Sequence, residues 1–248
     1  MTNSTSKHAF VTGGAIRVGR AIALHLAVKG WDITLHYGHS ETEAGRTAND
    51  IEGLGRSAHL VQADLSIPDA VSGLLENLSK PVSLLIHNAS VFEKDSVVTL
   101  TADRLQNHLN VNLVSPLLLT QAFVKQLPKD AKGHVICLLD GMLGWSISPH
   151  YLSYSISKLG LHNAVNLLAG SLAPGVRING IALGATLPGD SDLPSTFEKI
   201  RGFTPLRSNS NTGEVCAAID FLLETPSITG HIIDLSSGMA LPHLYATE

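Results

Sequence analysis

Short apolar runs alternate with longer amphipathic segments along the whole chain, and this alternation is the strongest constraint on its fold. The apolar runs are rich in Val, Ile and Leu without polar alternation, which is typical of strands covered on both faces. They lie at His8–Thr12, Asp32–Tyr37, Ala58–Gln62, Ser83–His87, His134–Leu139, Arg177–Ile181 and His231–Asp234. Helices are predicted between them at Arg20–Lys29, Glu41–Leu54, Pro68–Leu78, Asp103–Gln126, Tyr151–Ala173 and Thr212–Glu224. The pattern predicts an α/β fold, Rossmann-like, with a doubly wound parallel sheet of about seven strands.

The length and composition are compatible with one domain of this type. A chain of 248 residues, of which 44% are hydrophobic, can bury a sizeable core within a single domain. We find no internal repeat and no linker, so residues 1–248 are expected to form that one domain. The short polar stretch 1–6 is predicted to be a flexible start. The segment Leu183–Ser210 is rich in Gly, Pro and Ser, and we expect it to be a substrate loop.

Several classes of partner are disfavoured by the composition. The formal net charge is −4 and there is no block of basic residues, which argues against nucleic acid. No apolar run approaches the roughly 20 residues that span a bilayer, so we expect no membrane partner. Cys137 and Cys216 lie in apolar segments, where buried thiols are more typical than a disulfide framework. We therefore expect a cytoplasmic protein with a small-molecule partner and no bound metal.

A glycine-containing turn, Thr12–Gly19, joins the first predicted strand to the first predicted helix. Such a turn presents backbone N–H groups and the helix N-terminus to a pyrophosphate. We therefore predict that Gly13, Val18 and Gly19 contact a dinucleotide cofactor. Arg17 lies in the same turn, where it would place a fixed positive charge beside both the cofactor and the entrance for the substrate.

The end of the second predicted strand indicates which dinucleotide is bound. An Asp or Glu there would accept from the ribose 2′-hydroxyl and repel a 2′-phosphate. The segment Leu35–Ser40 contains no acid, and His39 and Ser40 can donate to a phosphate. We therefore predict NADPH/NADP as the cofactor, with His36, Tyr37, His39 and Ser40 at its adenosine end. The alternative is that His36 and His39 are ordinary exposed loop histidines.

Polar residues also follow the third and fourth predicted strands. Asp64 and Leu65 end the third strand, where a carboxylate can accept from the adenine amino group. Asn88, Ala89 and Ser90 end the fourth strand, where backbone groups approach the adenine ribose. Each of the two sets of residues alone could simply form a turn. Their positions at the C-termini of successive strands favour one shared cofactor groove.

A tyrosine and a lysine stand four residues apart at the start of the predicted helix Tyr151–Ala173. Positions i and i+4 share one helix face, so Lys158 can stabilise the phenolate of Tyr154 and lower its pKa from the usual value of about 10. Tyr154 could then act as a general acid near neutral pH, while Lys158 also bonds the nicotinamide ribose. Tyr151 lacks such a partner because Ser155 follows it at i+4. The alternative is an ordinary surface pair of tyrosine and lysine.

Taken together, these motifs resemble the short-chain dehydrogenase/reductase superfamily from His8 to about His243. The resemblance is carried by Thr12–Gly19, Asp64, Asn88-Ala89, Asn112, Tyr154, Lys158 and the run Arg177–Gly180. It implies a catalytic role for Asn112, which would hold a water in the proton relay. It also implies a homotetramer, in which the predicted helices Asp103–Gln126 and Tyr151–Ala173 form contact faces between subunits.

Other residues are similar to the pteridine reductase and dihydromonapterin reductase branch in particular. They are Arg17, where most members of the superfamily have glycine, Leu35-His36-Tyr37, Asn88-Ala89-Ser90-Val91-Phe92, Asp140 and Asn179–Gly184. The resemblance implies that Ser90 and Phe92 line a pterin slot, with Phe92 stacked on the pterin opposite the nicotinamide. It implies that Asp140 assists Tyr154 in proton transfer. It also implies that Arg17 meets the polar edge of the substrate and that Gly184 lies at the cofactor.

The chain departs from this branch in two places that bear on the chemistry. His39 replaces the arginine that usually binds the 2′-phosphate. Asp140 precedes Tyr154 by one residue more than is usual, so the loop Gly141–His150 is expected to hold an insertion that could displace Asp140.

The leading hypothesis is an NADPH-dependent reductase that transfers hydride to a dihydropteridine. Dihydrobiopterin and dihydromonapterin are the candidate substrates, with dihydrofolate as a further one and tetrahydrobiopterin as a product. A keto reductase of the same superfamily is the main alternative, although it would more often have Gly, Ser and a non-aromatic residue at Arg17, Asp140 and Phe92. A non-catalytic NADP(H)-binding regulator is a distant alternative, against which the intact Tyr154 and Lys158 count.

Overall fold

One parallel sheet forms the centre of the molecule. The computed structural model describes residues 7–71, 73–76, 78–143, 149–188 and 194–241. The strands are β1 (His8–Val11), β2 (Asp32–Tyr37), β3 (Ala58–Gln62), β4 (Leu84–His87), β5 (Gly133–Asp140), β6 (Val176–Leu183) and β7 (Ile232–Leu235). In the described ranges they form a seven-stranded sheet in the order β3-β2-β1-β4-β5-β6-β7, and every neighbouring pair is parallel. The predicted seven-stranded parallel sheet is confirmed.

Helices connect the strands and cover both faces of the sheet. They are α1 (Arg17–Val28), α2 (Glu41–Gly53), α3 (Pro68–Val71), α4 (Ala102–Leu109), α5 (Ser115–Gln126), α6 (Leu152–Leu172), α7 (Pro194–Phe203) and α8 (Thr212–Glu224). A π-helical turn, Asn110–Val114, continues α4 directly into α5. Consecutive parallel strands need such crossover connections, which is why the helices alternate with the strands.

The central strand β1 shows why the apolar runs lack polar alternation. Ala9 and Val11 belong to a core cluster with residues of α1 and α8, while Phe10 belongs to a second cluster with residues of α5 and α6. Successive side chains of a strand point to opposite faces. Because both faces of the sheet are covered, Ala9, Phe10 and Val11 are all fully buried, and the doubly wound arrangement is confirmed.

Three helical segments differ from the sequence prediction. The predicted helix Pro68–Leu78 is α-helical only over Pro68–Val71, and Gly73, a poor helix former, follows shortly after it. The predicted single helix Asp103–Gln126 contains the π-helical turn, because one residue is accommodated there beyond the regular α-helical repeat. The predicted irregular segment Leu183–Ser210 contains α7, and residues 189–193 of it lie outside the described residues.

The topology places the strand C-termini along one edge of the sheet, where ligands bind in folds of this type. The residues predicted for the site end or follow strands β1 to β6, or lie in the helical segments between them. In the part of the chain that the structure describes, no helix has both the length and the apolar character needed to cross a bilayer.

Candidate active site

The turn between β1 and α1 is held in a close-packed form that depends on glycine. Gly13 has a φ of +62°, in the left-handed region that glycine adopts without strain. A Cβ atom on Gly19 would lie 2.0 Å from the carbonyl oxygen of Gly13. The helix therefore begins so close to the turn that no side chain fits at Gly19.

Asn88 fixes the same turn to the end of β4. Its side-chain amide donates to the carbonyl oxygens of Thr12 (2.9 Å) and Gly13 (3.1 Å). In return, the Thr12 hydroxyl oxygen accepts from the backbone N–H groups of Asn88 (2.9 Å) and Ala89 (3.0 Å). The predicted contributions of β1 and β4 to one groove are therefore brought together, with the Asn88 side chain used to hold the turn.

The structure corrects the role expected for His36 and Tyr37. The His36 side chain is buried, and its Nδ1 accepts from the N–H of Gly13 (3.2 Å). Its Nε2 therefore carries the proton and donates to the carbonyl of Ala63 (3.1 Å). Burial lowers the pKa of His36, which keeps it neutral. Tyr37 is buried with Ala15 and others beneath the turn, so both residues support the turn from behind and are not exposed loop residues.

The other residues predicted for the adenosine end lie at the ends of the adjacent strands β2 and β3. His39 is exposed, and Ser40 is the N-cap residue of α2 without a side-chain capping bond. Asp64 is exposed and accepts from the N–H of Ser66 (2.8 Å), a bond that lowers the pKa of its carboxyl group. The side chain of Leu65 is buried in the core, so only its backbone could face the groove.

Arg17 combines an unusual backbone with a contact across the site. Its φ is +54°, so this residue adopts the left-handed conformation that only glycine adopts without strain. Its guanidinium donates to the carbonyl of Pro188 (2.7 Å) and more weakly to that of Leu187 (3.5 Å), in the segment after β6. Arg17 therefore joins the glycine turn to the start of the predicted substrate loop.

Tyr154 and Asp140 meet at the centre of the site. Tyr154 lies in the first turn of α6, and its hydroxyl donates to Asp140 Oδ2 (2.8 Å). The other carboxylate oxygen accepts from the N–H of Met142 (2.8 Å), so Asp140 is held from both sides. The extra residue expected in the loop Gly141–His150 therefore does not displace Asp140 from Tyr154, and residues 144–148 of that loop lie outside the described residues.

The electrostatics of Tyr154 are opposite to the sequence prediction. Burial raises its pKa well above the usual value, and the negative charge and hydrogen bond of Asp140 raise it further. Within the described residues, the Lys158 ammonium donates to the carbonyl of Leu138 (3.0 Å), not to the phenol. Burial lowers the pKa of Lys158 to about 8. The phenol in this structure is therefore a protonated donor, and the expected lowering of its pKa by Lys158 is not observed.

Asn112 lies in the π-helical turn with its side chain fully occupied. Its Oδ1 accepts from the N–H of Val91 (2.8 Å) and the hydroxyl of Ser90 (3.1 Å). Its Nδ2 donates to the carbonyl of Val91 (3.0 Å) and the hydroxyl of Ser157 (3.0 Å). The side chain thus ties the segment after β4 to α6, and a water relay through this residue would have to use its main chain.

Three aromatic rings form one wall of the site. Phe92 is stacked on Tyr151, with ring centroids 4.4 Å apart and planes 5° from parallel. The Phe92 and Tyr154 rings meet edge to face at 4.6 Å and 75°. Sequence reasoning placed Phe92 at the substrate but set Tyr151 aside because it lacks a lysine. The sequence signal for a role of Tyr151 in the wall was its position three residues before Tyr154, which puts both side chains on the same side of the first helical turn.

Asp95 is a second residue that sequence reasoning missed. Its buried carboxylate accepts from the N–H of Ser153 (3.0 Å) and from the Ser153 hydroxyl, at the N-terminus of α6. Backbone bonds from Asp95 to His150 (3.0 Å) and from Leu152 to Asp95 (3.3 Å) join the same two segments. The N-cap residue of α6, Tyr151, makes no capping bond of its own. Asp95 therefore caps α6 from another segment, as a carboxylate at a helix N-terminus does.

The remaining predicted positions are Ser90, Val18 and Gly184. Ser90 is exposed at the end of β4, and Val18 is half-buried in the first turn of α1. A Cβ atom on Gly184 would lie 2.9 Å from Ser236 Cα, so glycine is needed there for the end of β6 to pack against the chain after β7.

Comparison with known proteins agrees with this geometry. A family model described as short chain dehydrogenase matches residues 7–192. The structure of FolM alternative dihydrofolate reductase 1 from Brucella canis, complexed with NADP, is 36% identical, with a TM-score of 0.92 over 98% of this chain and 97% of that chain.

Two curated relatives match over nearly the full length. The dihydromonapterin reductase of Enterobacter sp. is 26% identical over 247 residues, which cover 97% of this chain and 100% of that protein. The 3-oxoacyl-(acyl-carrier-protein) reductase of Synechocystis sp. is 30% identical over 251 residues, which cover 97% of this chain and 100% of that protein.

Proposed function

The chain belongs to the short-chain dehydrogenase family, and from that premise we propose that it is an NADPH-dependent reductase of dihydropteridines. Dihydrobiopterin, dihydromonapterin and dihydrofolate are the candidate substrates. The observation that carries the proposal is the hydrogen bond between Tyr154 and Asp140 beside the stacked rings of Phe92 and Tyr151. The named activities of the Brucella structure and the Enterobacter relative support the same substrate class.

The residues present fit an NADP(H) cofactor. The turn at Gly13 and Gly19 has no room for a side chain at Gly19, so a pyrophosphate could approach its backbone closely. His39 and Ser40 would hold the 2′-phosphate at the N-terminus of α2, and Asp64 would hold the adenine. Lys158 would hold the nicotinamide ribose. When bound, NADPH supplies the hydride for reduction of a C=N bond.

Reduction of a C=N bond also needs a proton, which Tyr154 would supply. Its raised pKa keeps the phenol protonated. In this structure its single proton is hydrogen-bonded to Asp140, which fixes the position of the hydroxyl. To act as the general acid, the hydroxyl would turn this proton from Asp140 to the substrate nitrogen. The buried ammonium of Lys158, on the same helix, would stabilise the phenolate that forms as the proton leaves.

The aromatic wall suits a flat heterocycle. The Phe92 side chain is 60% exposed although it contacts both tyrosines, so it offers an apolar surface at the site. Aromatic rings pack against planar ligands over a large area with little loss of side-chain entropy. A dihydropterin would lie against this wall, with Ser90 and Arg17 near its polar edge.

A substrate panel tests the proposal directly. Purified protein is expected to oxidise NADPH in the presence of dihydrobiopterin, dihydromonapterin or dihydrofolate, and to do so more slowly with NADH. The measurement is the loss of NADPH absorbance with each compound. If simple ketones are reduced and no pterin or folate is, the pterin proposal is wrong.

The same panel tests a keto reductase as the second candidate. The Synechocystis relative, named as a 3-oxoacyl reductase, favours this alternative. The carboxylate of Asp140 counts against it, because a keto reductase would more often have serine there. Turnover of a 3-oxoacyl thioester that exceeds turnover of every pterin would select this alternative.

Replacing Arg17 with glycine is expected to separate substrate turnover from cofactor binding. The change removes the guanidinium from the substrate entrance, and we expect kcat/KM for the pterin to fall about tenfold or more, as when a charged hydrogen bond is lost. The left-handed conformation costs a non-glycine residue about 1–2 kcal/mol, so the variant is expected to unfold at a higher temperature. Arg17→Lys, which keeps both charge and strain, is the control. Equal losses of pterin turnover and NADPH affinity would remove the proposed substrate role.

The assembly and compartment are also part of the proposal. We propose a homotetramer in the cytoplasm. Cys137 and Cys216 are buried free thiols, which is compatible with a reducing compartment. Exposed apolar side chains on α6, Ile156 and Leu167, are compatible with a subunit contact.

A further inference from the structure

A cavity of about 600 Å³ borders the aromatic wall of the site. It is lined by the segment Lys94–Ser96 and by Thr99, Arg104, His150 and Tyr151. Tyr151 is shared between the two sites, because its ring also stacks on Phe92. The volume lies within the range of small-molecule sites, so the cavity is large enough for a further part of a ligand bound at Tyr154.

The lining of this cavity carries more free positive than free negative charge. Over the described residues, the Lys94 ammonium has no ion-pair partner. Arg104 makes a long ion-pair contact, 3.8 Å from its Nε to Glu93 Oε2, and its Nη1 donates weakly to the carbonyl of Lys94 (3.5 Å). The carboxylate of Asp95 is buried and accepts hydrogen bonds from Ser153 at the N-terminus of α6, so it does not face the cavity as a free negative charge.

The polar groups and the ring suit one kind of occupant. Two cations with donor N–H groups favour an anionic group. The hydroxyls of Ser96 and Thr99 bond each other (3.3 Å), which leaves one of their two protons to donate to the same group. The Tyr151 ring offers an apolar surface next to it. The combination matches an aromatic or aliphatic linker that ends in a carboxylate or phosphate.

We propose that this cavity is the subsite for an anionic tail of the substrate, with Lys94 and Arg104 as its specificity-determining residues. The inference rests on the proposed function and narrows it. The enzyme would prefer dihydropterins whose side chain ends in an anion, such as the glutamate carboxylates of dihydrofolate, over those with an uncharged side chain. The pterin ring would lie at Phe92, and the tail would pass Tyr151 into the cavity.

The test compares substrates that differ in their tails. For the wild type and for Lys94→Gln, Arg104→Gln and the double variant, kcat/KM is measured with dihydrofolate and with dihydrobiopterin, whose tail is uncharged. The ratio of the two values is expected to exceed one in the wild type. It should fall about tenfold in the double variant, the effect of losing a charge-assisted contact. Lys125→Gln, which removes an exposed lysine on α5, is the matched control and should leave the ratio unchanged.

Two further arms complete the experiment. Dihydroneopterin phosphate replaces dihydrofolate, and a higher kcat/KM for it would support the subsite and assign phosphate as the tail. Free p-aminobenzoylglutamate should inhibit the wild type in competition with dihydrofolate, and inhibit the double variant less. Thermal unfolding of each variant checks that it is folded.

The outcomes separate this inference from the proposed function. If pterins are reduced but the ratio is the same in the wild type and the double variant, the tail subsite is wrong and the pterin reductase stands. If no pterin is reduced in any arm, the proposed function fails and the subsite fails with it.

Discussion

Replacing Tyr154 with phenylalanine is expected to lower kcat for the pterin by a factor of about 10²–10⁴, the usual contribution of a general acid. The change removes only the hydroxyl that donates to Asp140 and leaves the ring against Phe92. We therefore expect the affinity for NADPH, measured by fluorescence titration, to change little. A loss in kcat with unchanged cofactor affinity would locate the defect in proton transfer.

Tyr151→Phe is the matched control for this variant. Tyr151 lies one helical turn earlier and contacts the same phenylalanine, but its hydroxyl has no place in the proposed proton transfer. Removal of this hydroxyl should leave kcat within a few-fold of the wild type. If Tyr154→Phe retained the wild-type rate, the proposed acid would be wrong. A biological role that persisted without turnover would instead favour the non-catalytic regulator.

Replacing Gly19 with alanine is expected to abolish cofactor binding and to destabilise the fold. The added Cβ would lie 2.0 Å from the Gly13 carbonyl oxygen and 2.6 Å from Asn88 Nδ2. Neither neighbour can move freely, because the Asn88 amide itself holds the turn. Overpacking of this kind costs about 1–3 kcal/mol, which should appear as a lower Tm. Because the shift falls on the pyrophosphate turn, we expect no saturable binding of NADPH.

Gly170→Ala controls for the substitution itself. Gly170 lies in α6, and an added Cβ would meet no heavy atom within 4 Å. Alanine is the better helix former by about 0.5–1 kcal/mol, so this variant should be at least as stable as the wild type and fully active. If Gly19→Ala bound NADPH as tightly as Gly170→Ala does, the close packing of the turn would not matter for the cofactor.

The strands could be predicted well from the sequence because burial on both faces produces a simple pattern of apolar residues. Every position of β1, β2 and β4 is buried, and most of their residues are apolar. The π-helical turn at Asn110–Val114 has no comparable sequence pattern. It depends on the four side-chain bonds of Asn112 to other segments, which local sequence does not reveal.

In the site, too, features set by a local motif could be predicted, and features set by contacts with distant segments could not. Tyr154, Asp140 and Phe92 were predicted from their motifs, and the structure places them together. His36 was misread because a buried histidine and an exposed one look alike in the sequence. The pKa of Tyr154 was misread because its direction depends on burial and on Asp140, which outweigh a lysine that bonds elsewhere.

The central place of β1 has a consequence for how the chain is made. β1 pairs on one side with β2, which follows soon in the chain, but on its other side with β4, through pairs such as Ala9 with Leu84. During synthesis, β1, β2 and β3 can associate while that second edge of β1 is still unpaired, and an unpaired apolar edge is a template for aggregation. Pairings between distant residues also form slowly, because a long loop has to close first. The nascent chain is therefore most exposed to misassociation before β4 emerges, and its demand for chaperones should be greatest at that stage.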